Sequence, residues 1–188
     1  MTTKLRTIIE RPKVKTSELL AECKSLFPVW LYYKDAQLNR DFPPPKEATT
    51  HYFRDVVEAD EKYKDKSAED LEKAGIVGIT LRERLIMELD HFKETGGHFD
   101  VENITLCTGS RGADGSVPVA DWDDGEFRVS WAYPGSSYPR LRSRERFLTL
   151  DPLPSDPSSD LEARLADLSA RVERLEEWER RMGNAFDV

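Results

Sequence analysis

The 188-residue sequence has few of the residues that build disulfide frameworks and metal centres, with only two cysteines and three histidines. Cys23 and Cys107 are too few for a disulfide framework or a cysteine-built zinc site. His51, His91 and His98 lie outside any recognised metal-ligand spacing. We therefore expect no metal, no cofactor and no catalytic residues. The low cysteine content also predicts an intracellular, cytoplasmic protein, and a cysteine or metal enzyme is the weakest functional hypothesis.

Long apolar runs and an excess of basic charge are also lacking. No stretch approaches the roughly 18 consecutive apolar residues that a membrane-spanning helix needs. No apolar segment follows the charged N-terminus, so the sequence predicts neither a secretory signal nor membrane association. The formal net charge is −8, a sign that phosphate backbones repel. Non-specific nucleic-acid binding over most of the surface is therefore not expected.

Proline- and glycine-rich stretches divide the chain into three parts. Residues 1–150 are expected to form a head, residues 151–159 are a proline-rich linker, and residues 160–183 are a C-terminal helix. Within the head, residues 1–97 have mainly helical spacing, whereas residues 98–150 change to a period of two. The sequence thus predicts an α+β fold, with an N-terminal helical layer, a small antiparallel sheet and a short coiled-coil helix.

The apolar spacing of the N-terminal part predicts two helices and an aromatic cluster between them. One helix is indicated by apolar residues at i, i+1, i+4, i+7 and i+8, which are Leu19, Leu20, Cys23, Leu26 and Phe27. A second apolar stripe on a charged stretch comprises Tyr52, Phe53, Val56, Val57 and Tyr63. The cluster of Trp30, Tyr32 and Tyr33 is interpreted as core or helix, with a binding platform as the alternative.

Two capping boxes mark the start of further helices. Ser67 and Asp70 have the N-cap and N3 spacing of a short helix. Thr80 and Glu83 have the same spacing at the start of a longer one, which the pair Gly96-Gly97 ends.

The β-rich part contains a hairpin signal at Asp124-Gly125, a dipeptide that suits a two-residue turn. That turn predicts the apolar cross-strand pairs Trp122–Phe127 and Ala120–Val129 on one face. Further strands are predicted near Ile104–Leu106 and at Arg144–Leu150. The loop Gly109–Ser116 lacks the lysine of a phosphate loop and is interpreted as a hairpin connection, with a backbone anion nest as the alternative.

Four arginines alternate with other residues after Tyr138. In an extended chain, Arg140, Arg142, Arg144 and Arg146 share one side. Arginines beside aromatic residues predict a possible contact surface for single-stranded nucleic acid, to which Tyr138 would contribute stacking. The alternative is that the arginines pair with acidic residues of the head, and the candidates for this are Asp100, Glu102, Asp121 and Asp123.

A heptad pattern follows the linker. Its apolar positions, spaced 4-3-4-3-7, are Leu161, Leu165, Leu168, Val172, Leu175 and Met182. This spacing predicts a parallel coiled coil, and leucine at the d positions with a β-branched a position favours a dimer. The alternative is an amphipathic helix that folds back on its own head.

Taken with the charge, these patterns favour a non-catalytic interaction or assembly protein whose head is oligomerised by the C-terminal helix. The expected partners are a second copy of the chain and another protein. The alternative is a nucleic-acid-binding module that uses the arginines of the β-rich segment.

Overall fold

The computed structural model describes residues 4–148, and this part of the chain has an α+β fold. The strands are β1 (Leu5–Ile9), β2 (Val29–Leu31), β3 (Thr50–Arg54), β4 (Ile104–Leu106), β5 (Val117–Asp123), β6 (Glu126–Ala132) and β7 (Leu141–Arg142). The helices are α1 (Thr16–Leu26), α2 (Asp35–Asp41), α3 (Ala68–Lys73) and α4 (Leu81–Thr95), with one 3-10 turn at Glu61–Tyr63. The predicted linker over 151–159 and the predicted helix over 160–183 lie outside the described residues.

The strands form two sheets. Strands β1 and β3 pair antiparallel as a two-stranded sheet, and the five others have the order β2-β6-β5-β4-β7. Within the larger sheet, β2 runs parallel to β6 and β7 runs parallel to β4. The prediction of one small antiparallel sheet is therefore corrected to a mixed five-stranded sheet and a separate antiparallel ribbon.

The N-terminal part is not a purely helical layer, because it supplies β1, β2 and β3. The stripe predicted as a helix begins instead in a strand, where Tyr52 pairs with Thr7 and Phe53 with Arg6. Val56 follows β3 and is exposed. A run of five residues rich in aromatic side chains suits a strand as well as a helix, and pairing with distant β1 decides between them.

Strands β5 and β6 are joined by a two-residue turn. Asp124 and Gly125 both have positive φ, 52° and 78°, as a type I′ turn requires. In this register Trp122 lies opposite Phe127, and Asp121 lies opposite Arg128. The guanidinium of Arg128, however, donates to Asp123 at 2.9 Å rather than to its cross-strand neighbour.

The predicted strand Arg144–Leu150 is wrong for the residues that the structure describes. The chain pairs with β4 at Leu141–Arg142 and then makes only isolated bridges, Gly78 with Glu145 and Tyr52 with Phe147. These bridges tie the segment after β7 to β3 and to the chain just before α4.

Helix α4 runs through the centre of the head. The hydroxyl of Thr80 accepts from the Glu83 amide at 3.1 Å, and Glu83 accepts from the Thr80 amide at 2.7 Å. Gly96 ends the helix with a left-handed φ of 70°. All nine residues over 81–89 are buried, including the charged Arg82, Arg84 and Glu88. A helix buried on all sides must find partners for its charges, and this requirement creates the sites described below.

The sheet packs on both faces. One face shares a core with α1 and α4, to which it contributes Ala120, Phe127 and Val129. The other face packs Val117 and Val119 against Ala68 of α3 and residues of β4 and β7. No helix in the described part of the chain is both long and apolar enough to cross a membrane.

Candidate functional site

A buried network of charges holds α4 to the β-rich half of the head. Arg84 contacts Glu88 at 2.6 Å and Asp100 at 2.9 Å, and Arg144 contacts the other Asp100 oxygen at 2.6 Å. Burial raises the pKa of Glu88, but Arg84 and His98 together lower it further, so the net pKa lies below its usual range. Each charge in the network faces an opposite one, and we therefore interpret it as structural.

The four arginines predicted as a nucleic-acid surface do not share one side. Arg144 is 1% exposed and donates to the carbonyls of Val56 (2.9 Å) and Val57 (2.7 Å), so it cannot reach a phosphate. Its place in the predicted surface is a wrong prediction, because the segment after β7 places Arg144 inside the head against Asp100. Pairing with Asp100 is the alternative that the sequence offered.

The other three arginines of the predicted surface, and Tyr138, lie in different environments. Arg142 pairs with Glu61, whereas Arg140 is exposed and donates to the carbonyl of Glu102 at 2.9 Å. Tyr138 is 40% exposed. Arg146 lies in a cleft at the start of α4, which is described below.

The aromatic cluster predicted as core or helix is divided between core and surface. Tyr33 is buried and packs edge-on against Phe42, with ring centres 5.7 Å apart. Trp30, in β2, and Tyr32 are 40% and 56% exposed. The guanidinium of Arg128 lies over the Trp30 ring at 5.3 Å.

The two thiols are unsuited to nucleophilic chemistry. Cys23 and Cys107 are both fully buried. Burial raises the pKa of each thiol to about 12, so neither forms a thiolate at neutral pH.

Two of the three histidines are used in packing. His91 stacks on Phe99 with ring centres 4.1 Å apart, and His98 stacks on Trp122 at 3.3 Å. Nδ1 of His98 also donates to Glu88 at 2.7 Å. Over residues 4–148, no three potential ligands from histidine, cysteine and acidic residues gather where they would hold a metal ion.

The third histidine lies in a cleft of about 290 Å³ at the beginning of α4, hereafter the α4 cleft. Its walls come from Glu10, from the segment 41–45, from β3, from the first turn of α4, from the loop after β4 and from the segment after β7. The polar side chains that line it include His51, Arg82, Glu83, Ser110, Arg111 and Arg146.

A histidine–carboxylate pair forms one wall of the α4 cleft. Glu83 is fixed by the capping box, and its Oε1 accepts from Nδ1 of His51 at 2.5 Å. Donation from Nδ1 leaves Nε2 as the ring nitrogen that a ligand can use. Glu83 is 1% exposed, so the pair is held rigidly and partly out of water.

Sequence reasoning found Glu83 only as a capping residue and Arg146 only as part of the arginine surface. His51 gave no signal, because its partner is far along the chain. The cleft forms only when β3 and α4 pack together, and no local motif records that contact.

The heptad residues predicted for self-association, from Leu161 to Met182, lie outside the described residues. No protein-family model, no curated protein and no solved structure matches the chain.

Proposed function

We propose that the protein is a non-catalytic interaction and assembly protein, in which the C-terminal segment 160–183 joins two copies of the head as a parallel coiled coil. The observation that carries this proposal is the 4-3-4-3-7 spacing of apolar residues after a proline-rich segment. Arg171 at a g position and Glu176 at the following e position add a charge pair between parallel helices.

The architecture of the head supports a folded head that is separate from the segment for self-association. Its apolar clusters are built from residues of both sheets and of α1, α3 and α4, many of them fully buried. Such a core gives the head its own source of stability, so that the heptad leucines remain free for contacts between chains.

The test is the molar mass of the full chain, measured by light scattering at tens of micromolar. Leu168→Asp and Leu175→Asp together place charges in the predicted seam and should reduce a dimer to a monomer. Ala163→Asp and Ala170→Asp are the matched control, since they add the same charges at f positions on the outer face. Equal masses for the two variants would contradict the proposal, and a monomeric wild-type chain would favour a helix that folds back.

Nucleic-acid binding is the alternative function, and the surface available to it is small. Arg140 and Tyr138 are exposed, but Arg142 and Arg146 are engaged by acidic residues and Arg144 is internal. Mobility shifts with mixed-sequence single-stranded DNA and RNA at low salt decide the point. A shift that Arg140→Ala abolishes would support nucleic-acid binding, and we expect no shift.

A further inference from the structure

Arg146 has hydrogen-bond donors that the head does not use. Its Nη1 lies 3.4 Å from Glu83, a long contact, and its Nε is buried without an acceptor in the described part of the chain. The side chain is 21% exposed and lines the α4 cleft. A buried N–H without an acceptor is costly, and an acceptor that enters from the cleft would remove that cost.

The acidic groups of the cleft are already paired. Glu10 accepts from Arg82 at 3.1 Å, and Asp41 accepts from Arg40 at 2.7 Å. The hydrogen bond from Arg40 lowers the pKa of Asp41, which stays ionised and occupied. Glu83 is shared by the Thr80 amide, His51 and, at the longer distance of 3.4 Å, Nη1 of Arg146. In the described part of the chain this long contact is the only hydrogen bond of the Arg146 guanidinium, which leaves its other N–H groups for an acceptor in the cleft.

The loop after β4 completes the cleft with a further donor. Nη1 of Arg111 donates to the carbonyls of Thr108 and Ser110, both at 2.9 Å, and so fixes the loop. The Ser110 hydroxyl oxygen accepts from the Leu81 amide at 3.0 Å, which leaves its hydrogen to be donated. Arg146 and Ser110 thus offer two kinds of donor to one space.

We propose that the α4 cleft binds the phosphate group of a small molecule, with Arg146 as the main anion-binding residue and the Ser110 hydroxyl as a further donor. A guanidinium suits a tetrahedral oxyanion because two parallel N–H groups reach two oxygens. A volume of about 290 Å³ admits a small phosphate ester rather than a polymer.

The test is calorimetry and thermal denaturation of the full chain at low ionic strength, with inorganic phosphate, adenosine 5′-monophosphate and adenosine as probes. We expect phosphate to raise the melting temperature in a saturable way, since a ligand that binds only the folded state stabilises it. Tighter binding of the ester than of inorganic phosphate identifies a phosphorylated metabolite as the ligand class, and the reverse order identifies the free ion. Adenosine alone should not bind.

Two variants locate the site. Arg146→Gln should weaken phosphate binding by about ten-fold or more, because a charge-assisted hydrogen bond is lost. Arg140→Gln removes the same charge from an exposed arginine outside the cleft and should leave the affinity unchanged. Equal losses in both variants would show a long-range charge effect only and would overturn the proposal, as would the absence of binding to wild type at millimolar phosphate.

Amide chemical shifts of the wild-type chain test the same proposal without a substitution. Phosphate should move the resonances of Gly109, Ser110 and His51 together, with one dissociation constant. Shifts confined to other parts of the head would place the anion elsewhere and refute the assignment.

Discussion

Replacing Arg144 by alanine should destabilise the head far more than replacing Arg140. Arg144 is 1% exposed, and its guanidinium contacts Asp100 and the carbonyls of Val56 and Val57. Removing one partner of a buried ion pair costs about 3–5 kcal/mol. Asp100 keeps Arg84 as a partner, which lowers the cost. The Val56 carbonyl loses its donor, which raises the cost, whereas the Val57 carbonyl keeps the Asp100 amide. We therefore expect a loss of about 4 kcal/mol, a large part of the roughly 5–15 kcal/mol typical of a domain.

Arg140→Ala is the matched control, since it removes the same group from an exposed position in the same segment. Its one hydrogen bond, to the carbonyl of Glu102, should contribute less than about 1 kcal/mol. Urea denaturation followed by tryptophan fluorescence gives the free energy of unfolding of each variant. If the two variants lose the same stability within about 0.5 kcal/mol, the position of Arg144 inside the network is refuted.

Three further outcomes follow from buried or crowded positions. Gly78→Ala should lose about 1–3 kcal/mol of stability by overpacking, because the added Cβ would lie 1.8 Å from the Thr108 hydroxyl oxygen. Gly135→Ala is the control and should be neutral, since its Cβ would lie 3.8 Å from the nearest atom, a carboxylate oxygen of Glu69. Urea denaturation measures both. Burial, with a smaller effect from nearby Asp123, raises the pKa of Asp121 to about 6, so the protonated form stabilises the fold at low pH and this stability is lost as the pH rises through 6. Asp121→Asn should therefore be more stable than wild type at pH 7.5, by up to about 3 kcal/mol, and equal to it near pH 4. Cys23 and Cys107 should react with a thiol reagent only in denaturant, as their burial requires.

Each of these outcomes has a clear counter-result. Equal stability of Gly78→Ala and Gly135→Ala would contradict the close approach of Thr108 to Gly78. A constant difference between wild type and Asp121→Asn from pH 4 to 7.5 would show that this carboxyl does not titrate with a raised pKa. Rapid labelling of either thiol in the native protein would contradict its burial.

Local signals in the sequence predict the elements that depend on local contacts. Helix α4 follows from the capping box of Thr80 and Glu83 and from Gly96, since each acts within a few residues. The cross-strand pairs around Asp124-Gly125, such as Trp122 with Phe127, likewise follow from a turn between neighbouring segments. These contacts need no knowledge of the rest of the chain.

Contacts between distant segments account for the wrong predictions. Strand β3 forms because Thr50–Arg54 pairs with Leu5–Ile9, and five residues are too few for their spacing to exclude a helix. The burial of Arg144 depends on the carbonyls of Val56 and Val57, which no local pattern associates with it.

The α4 cleft was beyond sequence reasoning for the same reason. His51 comes from β3, Glu83 from α4 and Arg146 from the segment after β7, and only the packed head brings them together. These residues are far apart along the chain, so no local pattern links them.

The molar mass of the full wild-type chain in solution tests the central proposal most directly. Sedimentation equilibrium over a range of concentrations should show two chains per particle at tens of micromolar and dissociation on dilution, as a short coiled coil predicts. A single chain per particle at every concentration would contradict self-assembly through the C-terminal segment.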